Sequence, residues 1–320
     1  MPSERLCNDG DRNDSREDRS VARGEPQKKA RIGFLADYWT LTKPDVNFLI
    51  VIAVFASFCL ARPATLQAFP YALLIHTLLG TFLVASGTGA LNQVIERRFD
   101  SRMRRTSRRP IVSGSISPAR ALQFGILASL GGAVYLALFV NVLSSLIAGL
   151  TLISYLAIYT PLKRKTPLCT FVGALPGAAP TLIGWAAASG HVSAEAWVLY
   201  AILFLWQFPH FMAIAWMYRD DYNRAGYQVL PRGEAVQHFV ALQSLIPAFL
   251  LVPISLIPAL LAHEGRISSL GTGLLSLTFL YFATRLVVHR SNVIARQLLL
   301  ASIIYLPSVF LLMLLGEVNR

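Results

Sequence analysis

The chain has 320 residues, of which 54% are hydrophobic and only 14% charged, with a formal net charge of +12. A soluble domain carries about 25% charged residues, so a large soluble core is excluded. The basic residues cluster in short loops between long apolar runs, which excludes a nucleic-acid binder in favour of topology signals, anionic lipid headgroups or phosphorylated substrates.

Residues 1–33 are polar, mixed in sign and without apolar periodicity, and are expected to form a disordered tail ahead of one transmembrane domain over 34–320. Glu4, Asp9, Asp11, Asp14, Glu17, Asp18 and Glu25 make the tail too acidic for an ordinary mitochondrial transit peptide. Cys7, Cys59 and Cys169 are too scattered for a disulfide framework or a zinc site.

A spanning helix needs about 20 mostly apolar residues. That ruler gives nine runs: Val46–Ala61, Tyr71–Val94, Ala119–Phe139, Val142–Tyr159, Thr170–Ser189, Ala196–Met217, Phe239–Leu261, Ser269–Val288 and Leu298–Leu315. With the N-terminus in the cytoplasm, the cytoplasmic loops hold Arg97 to Arg109, then Lys163 to Lys165, then Arg219, Arg224 and Arg232, then Arg290 and Arg296. The opposite loops hold little beyond Arg62 and Arg266, as the bias of basic residues toward the cytoplasm requires. The expected fold is therefore an all-α polytopic membrane protein, with about nine transmembrane helices around a central cavity. Its C-terminus lies on the side opposite its N-terminus. The expected location is the bacterial cytoplasmic (inner) membrane, with the mitochondrial inner membrane as the weaker alternative.

The second run ends in "LNQVIERRFDSRMRRTSRRP", where Asn92, Glu96 and Asp100 fall four residues apart. On a helix that spacing means about 6 Å of rise and about 40° of rotation, one slanted stripe of oxygen ligands suited to magnesium. Arg105, Arg108 and Arg109, with Thr106, follow as donors for phosphate oxygens. Each arginine also reads as a topology signal, and that simpler reading holds for Arg97, Arg98, Arg102, Arg104 and Arg108. Lys163 and Arg164, in "YTPLKRKTPL", either complete a ring of cations or anchor the fourth span.

The sixth run leaves the membrane in "WQFPHFMAIAWMYRDDYNRAGYQVLP". Asp220 and Asp221 form a second acidic cluster beside Arg219, Tyr222 and Arg224; the alternative is a solvated, salt-bridged loop. His210 lies within the apolar helix, where an ionisable residue is a candidate for function. It is read as a haem-iron or metal ligand, as a substrate contact, or as a satisfied core histidine. Trp206, Phe208, Phe211, Trp216 and Tyr155 are candidate cavity walls, not separable in sequence from packing aromatics.

The stripe with "MRRTSRRP" resembles the first motif of UbiA-type intramembrane prenyltransferases. "LTKPDVNFL", "ASGTGALNQ", "YTPLKRKTPL", "WQFPHFMAIAWMYRDDYNRAGYQVLP" and "ASIIYLPSVFLLM" are similar, more narrowly, to the protohaem IX farnesyltransferase (haem O synthase) group. The resemblance runs from about Tyr38 to the C-terminus. It implies transfer of farnesyl from farnesyl diphosphate to a vinyl group of haem b, with addition of water, giving haem O for haem-copper terminal oxidases. It implies Mg2+ as cofactor, held by Asn92, Glu96, Asp100, Asp220 and Asp221 as the catalytic and metal-binding set. Arg105, Arg109, Lys163 and Arg164 would bind diphosphate, and His210 and Tyr222 would contact haem or substrate. Expected partners are the lipid bilayer, the two substrates, and a haem A synthase or oxidase assembly factors.

Some positions depart from the pattern. The wider superfamily spaces its second pair of acids four apart, and aligned on Gly226 those places fall on Tyr218 and Tyr222. Asp45 stands where a basic residue is frequent, and Cys169 where an amide is common. A quinone-pathway prenyltransferase and an ion-binding transporter or scaffold are the rival readings.

Overall fold

The computed structural model describes residues 27–61, 68–261 and 266–318. All of their regular structure is helical: α1 Gln27–Leu41, α2 Pro44–Leu60, α3 Tyr71–Asp100, a turn α4 Pro110–Ser113, α5 Pro118–Phe139 and α6 Val142–Ile153. The chain then continues through a wide π-helical turn, Ser154–Tyr159, into α7 Thr160–Leu162. After it come α8 Cys169–Ser189, α9 Ala194–Met217, the short α10 Arg219–Ala225, α11 Ala235–Leu261, α12 Arg266–His289 and α13 Asn292–Val318.

Among the described residues, eight spans are long and apolar enough by themselves to cross a membrane; a bent pair, the end of α1 joined to α2 at 53°, brings the number to nine if the two cross as one span. Alone, α2 has 17 residues, short of the 20 or so that a bilayer requires. The bend sits at Lys43, which takes a left-handed backbone (φ 56°) just before Pro44 opens α2. Pro44 has no N–H to give and favours the first position of a helix, so α2 starts anew here.

Several helix ends lie a few residues from the sequence expectation, among them Asn292 and Ala235, where Leu298 and Phe239 were expected. Residues 1–26 lie outside the described residues, but from Gln27 the chain is helical, so α1 reaches into the segment expected to be a disordered tail. Its sequence "QKKARIGFLADYWTL" is rich in good helix formers, which an apolar ruler does not register. The span expected to stop at Val94 continues to Asp100, because Glu and Arg sustain a helix and one face of this extension is buried.

The helices form a closed circuit: α2 packs on α3, α3 on α5, α5 on α6, α6 on α8, α8 on α9, α9 on α11, α11 on α12, α12 on α13 and α13 back on α2. Across it, α8 also packs on α2, and α13 on α9. Small residues make these approaches possible where no hydrophobic force separates protein from lipid. A methyl group at Gly184 of α8 would overlap the Val54 carbonyl oxygen and Ser57 Oγ of α2. Gly184→Ala is therefore expected to lower the melting temperature in detergent, by the equivalent of about 1–3 kcal/mol of overpacking. Gly149→Ala, which meets nothing within 4 Å, is expected to leave it unchanged.

Inside the circuit lies a cavity of about 960 Å³. Ligand pockets run to about 1,000 Å³, so this one suits large or paired ligands.

Candidate active site

Next to Lys43, at one end of the cavity, lies a layer of polar and charged pairs built on the last turns of α3. Asn92, Glu96 and Asp100 are all buried, and each faces a cation from a different part of the chain. Lys43 Nζ donates to Asn92 Oδ1 at 2.6 Å. Lys163 Nζ donates to Glu96 Oε1 at 2.8 Å, and Arg109 Nη1 to Asp100 Oδ2 at 2.6 Å. Asn92 Nδ2 in turn donates to Thr160 Oγ1 at 3.2 Å. The four-residue spacing thus becomes one face, and the break before α2, the loop after α7 and the loop after α3 converge on it.

Lys163 lies over the Tyr159 ring at 4.6 Å. Burial is the largest single influence and depresses the pKa of this ammonium, but the Glu96 carboxylate together with Tyr159 and Tyr155 outweighs it and holds the group well above the ordinary lysine value. Arg164 lies over Phe99 at 4.9 Å. The backbone N–H of Gln228 donates to the Lys163 carbonyl at 2.7 Å, tying this loop to the segment after α10.

The second acidic cluster divides. Asp221 is buried; its Oδ2 accepts from the Arg105 backbone N–H at 3.2 Å, and its Oδ1 pairs with Arg224. Burial opposes its ionisation, but the backbone N–H groups of Arg105 and Arg104 and the Arg224 guanidinium hold its carboxyl below the ordinary aspartate range. Asp220 is exposed and has no hydrogen bond or ion pair among the described residues. Tyr222 Oη accepts from Arg105 Nη2 at 3.2 Å, and the Arg105 guanidinium lies 4.8 Å from the Tyr218 ring. Among the described residues no three His, Cys, Asp and Glu side chains converge on one point.

The pattern of the UbiA prenyltransferase family matches residues 49–312. The chain belongs to the UbiA prenyltransferase family. Within this family it is 47% identical over 289 residues to a protoheme IX farnesyltransferase of Solibacter usitatus, across 88% of this chain and 99% of the relative. Among solved UbiA-type folds it is similar to a digeranylgeranylglyceryl phosphate synthase, with a TM-score of 0.69 at 17% identity over 90% of this chain and all of the other. A UbiA homolog from Archaeoglobus fulgidus bound to GPP and Mg2+ matches with a TM-score of 0.60 at 17% identity, over 87% of this chain and 99% of that one.

In this UbiA-family chain, Arg105 and His210 are the expected site residues that line the cavity itself, and Asp45 and Tyr218 line it too; Asn92, Glu96, Asp100, Asp221 and Lys163 are not part of its wall. Of the expected aromatic walls, Trp206, Phe211 and Tyr155 face the cavity. Phe208 packs on Phe204 at 5.1 Å, and Trp216 carries the Arg219 guanidinium at 5.1 Å. Sequence reasoning missed Lys43 as a site residue. It lines the cavity and touches the stripe, and its signal was a lone lysine before the proline that opens a span.

The donor set fits a hard cation. Asp100 Oδ1 is buried and has no hydrogen-bond partner among the described residues, an acceptor left incomplete where such groups are normally satisfied. The other acceptors on the stripe are carboxylate or amide oxygens, the ligand type magnesium takes, and here they accept from Lys43, Lys163 and Arg109.

Proposed function

We infer that this membrane-embedded enzyme transfers the farnesyl group of farnesyl diphosphate to a vinyl group of haem b, giving haem O. Near-full-length identity of 47% to a protoheme IX farnesyltransferase carries this reading. The cavity supports it, with room for a long prenyl chain beside a macrocycle and cations gathered at one end.

In the reaction the C1–O bond of farnesyl diphosphate breaks and diphosphate leaves with the electron pair. The allylic carbon bonds to the terminal vinyl carbon, water adds to the inner one, and a proton is released. Lys43 and Arg105 face the cavity at its polar end and receive the diphosphate; Arg109, Lys163 and Arg164 stand behind them as further cations. Charge develops on the departing diphosphate, and fixed donors aimed at developing charge are the usual largest catalytic contribution. Mg2+, held by Asn92, Glu96 and Asp100 with Asp221 beside them, would supply further neutralisation of the leaving group. Asp220, expected in that set, stands at the surface, so we assign it no contact with the metal. Tyr222 holds Arg105 in place, a role nearer the diphosphate than the haem. The walls formed by Trp206, Phe211 and Tyr155 keep bulk water from the allylic cation until the carbon–carbon bond has formed.

We place the polar end toward the cytoplasm and the enzyme in a bacterial inner membrane, because the basic loops at Arg97 to Arg109 and Lys163 to Lys165 obey the positive-inside rule only that way. Purified protein given Mg2+, farnesyl diphosphate and haem b is expected to release diphosphate and yield haem O. Diphosphate release with a hydroxybenzoate but not with haem b would overturn the acceptor assignment.

A further inference from the structure

His210 sits in α9, seven residues before its last residue Met217, so roughly 10 Å along the helix axis from the polar end. Its ring is fixed on both sides. Trp206 stacks on it with centroids 4.8 Å apart at 26°, and Phe211 meets it edge-on at 5.7 Å. Both Trp206 and His210 are anchored to one residue of the facing helix α13: Trp206 Nε1 donates to the Ser302 carbonyl at 2.8 Å, and His210 Nδ1 lies 2.7 Å from Ser302 Oγ.

The tautomer at that contact follows from where the single hydrogen of the Ser302 hydroxyl goes. Ser302 Oγ lies 2.6 Å from the Leu299 carbonyl as well as 2.7 Å from His210 Nδ1; with its hydrogen on that carbonyl, Ser302 Oγ accepts from His210 Nδ1–H, and Nε2 keeps its lone pair. Nε2 has no hydrogen-bond partner among the described residues, and the histidine lines the cavity together with the apolar side chains of Ile303 and Leu306. A neutral imidazole whose second nitrogen is tied to a fixed acceptor is the usual form of a metal-binding histidine.

We propose that His210 ligates the iron of the substrate haem through Nε2, and that Ser302 is the positioning residue that fixes this tautomer and ring orientation. The proposal rests on haem b being the acceptor. Iron held there sets the macrocycle among apolar walls, below the end that receives the diphosphate, so the vinyl edge is presented to the C1 end of the prenyl chain. The bond to iron orients the acceptor and takes no part in the transfer itself.

The test uses the full chain in detergent with haem b and without farnesyl diphosphate, so that it reads binding and not turnover. The ferrous complex of the wild type is expected to show the iron–histidine stretching band in its resonance Raman spectrum. His210→Ala is expected to lose the band and to regain an axial-imidazole spectrum on addition of free imidazole; His210→Gln, which keeps most of the packing on Trp206, is expected to lose it likewise. Ser302→Ala is expected to shift and broaden the band and weaken haem affinity by about 10-fold, with Ser302→Thr restoring both. An unchanged band in folded His210→Ala, or haem bound by the wild type without the band, overturns the ligation. An unshifted band in Ser302→Ala overturns the positioning role. Failure of the folded wild type to bind haem at all overturns instead the acceptor reading beneath it.

Discussion

Asp100→Ala is expected to lower farnesyl transfer by about 10³-fold, while membrane-inserted protein stays near the wild-type amount. The residue is buried at the end of α3, with one carboxylate oxygen on Arg109 and the other without a partner among the described residues. Removing it takes away the oxygen most available to a cation and leaves the Arg109 guanidinium unrestrained. The Arg109 side chain is 22% exposed, enough to turn to water, so folding survives where catalysis does not. Asp100→Asn sharpens the test, because it preserves volume and an acceptor for Arg109 and removes only charge. Haem O formation is the readout, with immunoblotting of membranes as the measure of insertion. Full activity in either variant would remove Asp100 from the metal site.

Lys163→Met is expected to cost both activity and stability, and a double replacement separates the two. Lys163 and Glu96 have side chains only 14% and 8% exposed. Deleting one partner of such a pair leaves an uncompensated charge and costs about 3–5 kcal/mol, whereas replacing both by neutral groups of similar size is often close to neutral. Lys163→Met alone is expected to melt early in detergent. Lys163→Met combined with Glu96→Gln is expected to recover most of that loss yet stay inactive. If the double variant melts as early as the single one, the pair is not what holds the loop after α7 onto α3. If it turns over normally, neither group serves the diphosphate site.

The stripe was legible because it depends on one helix alone: residues four apart share a face whatever surrounds them. The end of its helix was not, since an apolar ruler stops at Val94 while Glu96, Arg97 and Arg98 continue the helix with one face buried. Lys43 was illegible for another reason. Its partner Asn92 is 49 positions away, and only closure of the bundle brings the break before α2 to the end of α3. Asp220 and Asp221 are neighbours in sequence and so about 100° apart on a helix; the chain shows that an acid is present there, but tertiary packing decides that Asp221 turns inward to Arg105. Likewise, composition marks Trp206, Phe208 and Phe211 alike, and only helix rotation separates wall from packing.

The wide turn at Ser154–Tyr159 bears on all of this. A π turn accommodates one residue more than the α-helix it interrupts, so it acts as a phase setting for everything after it. Losing that residue would let the segment relax into regular α geometry, rotating the chain beyond by about 100° and drawing it back by about 1.5 Å. Thr160 would leave its place beside Asn92, and Lys163 its place on Glu96. The alignment of a loop with carboxylates on another helix is thus stored in the length of the chain, as a single residue of slack.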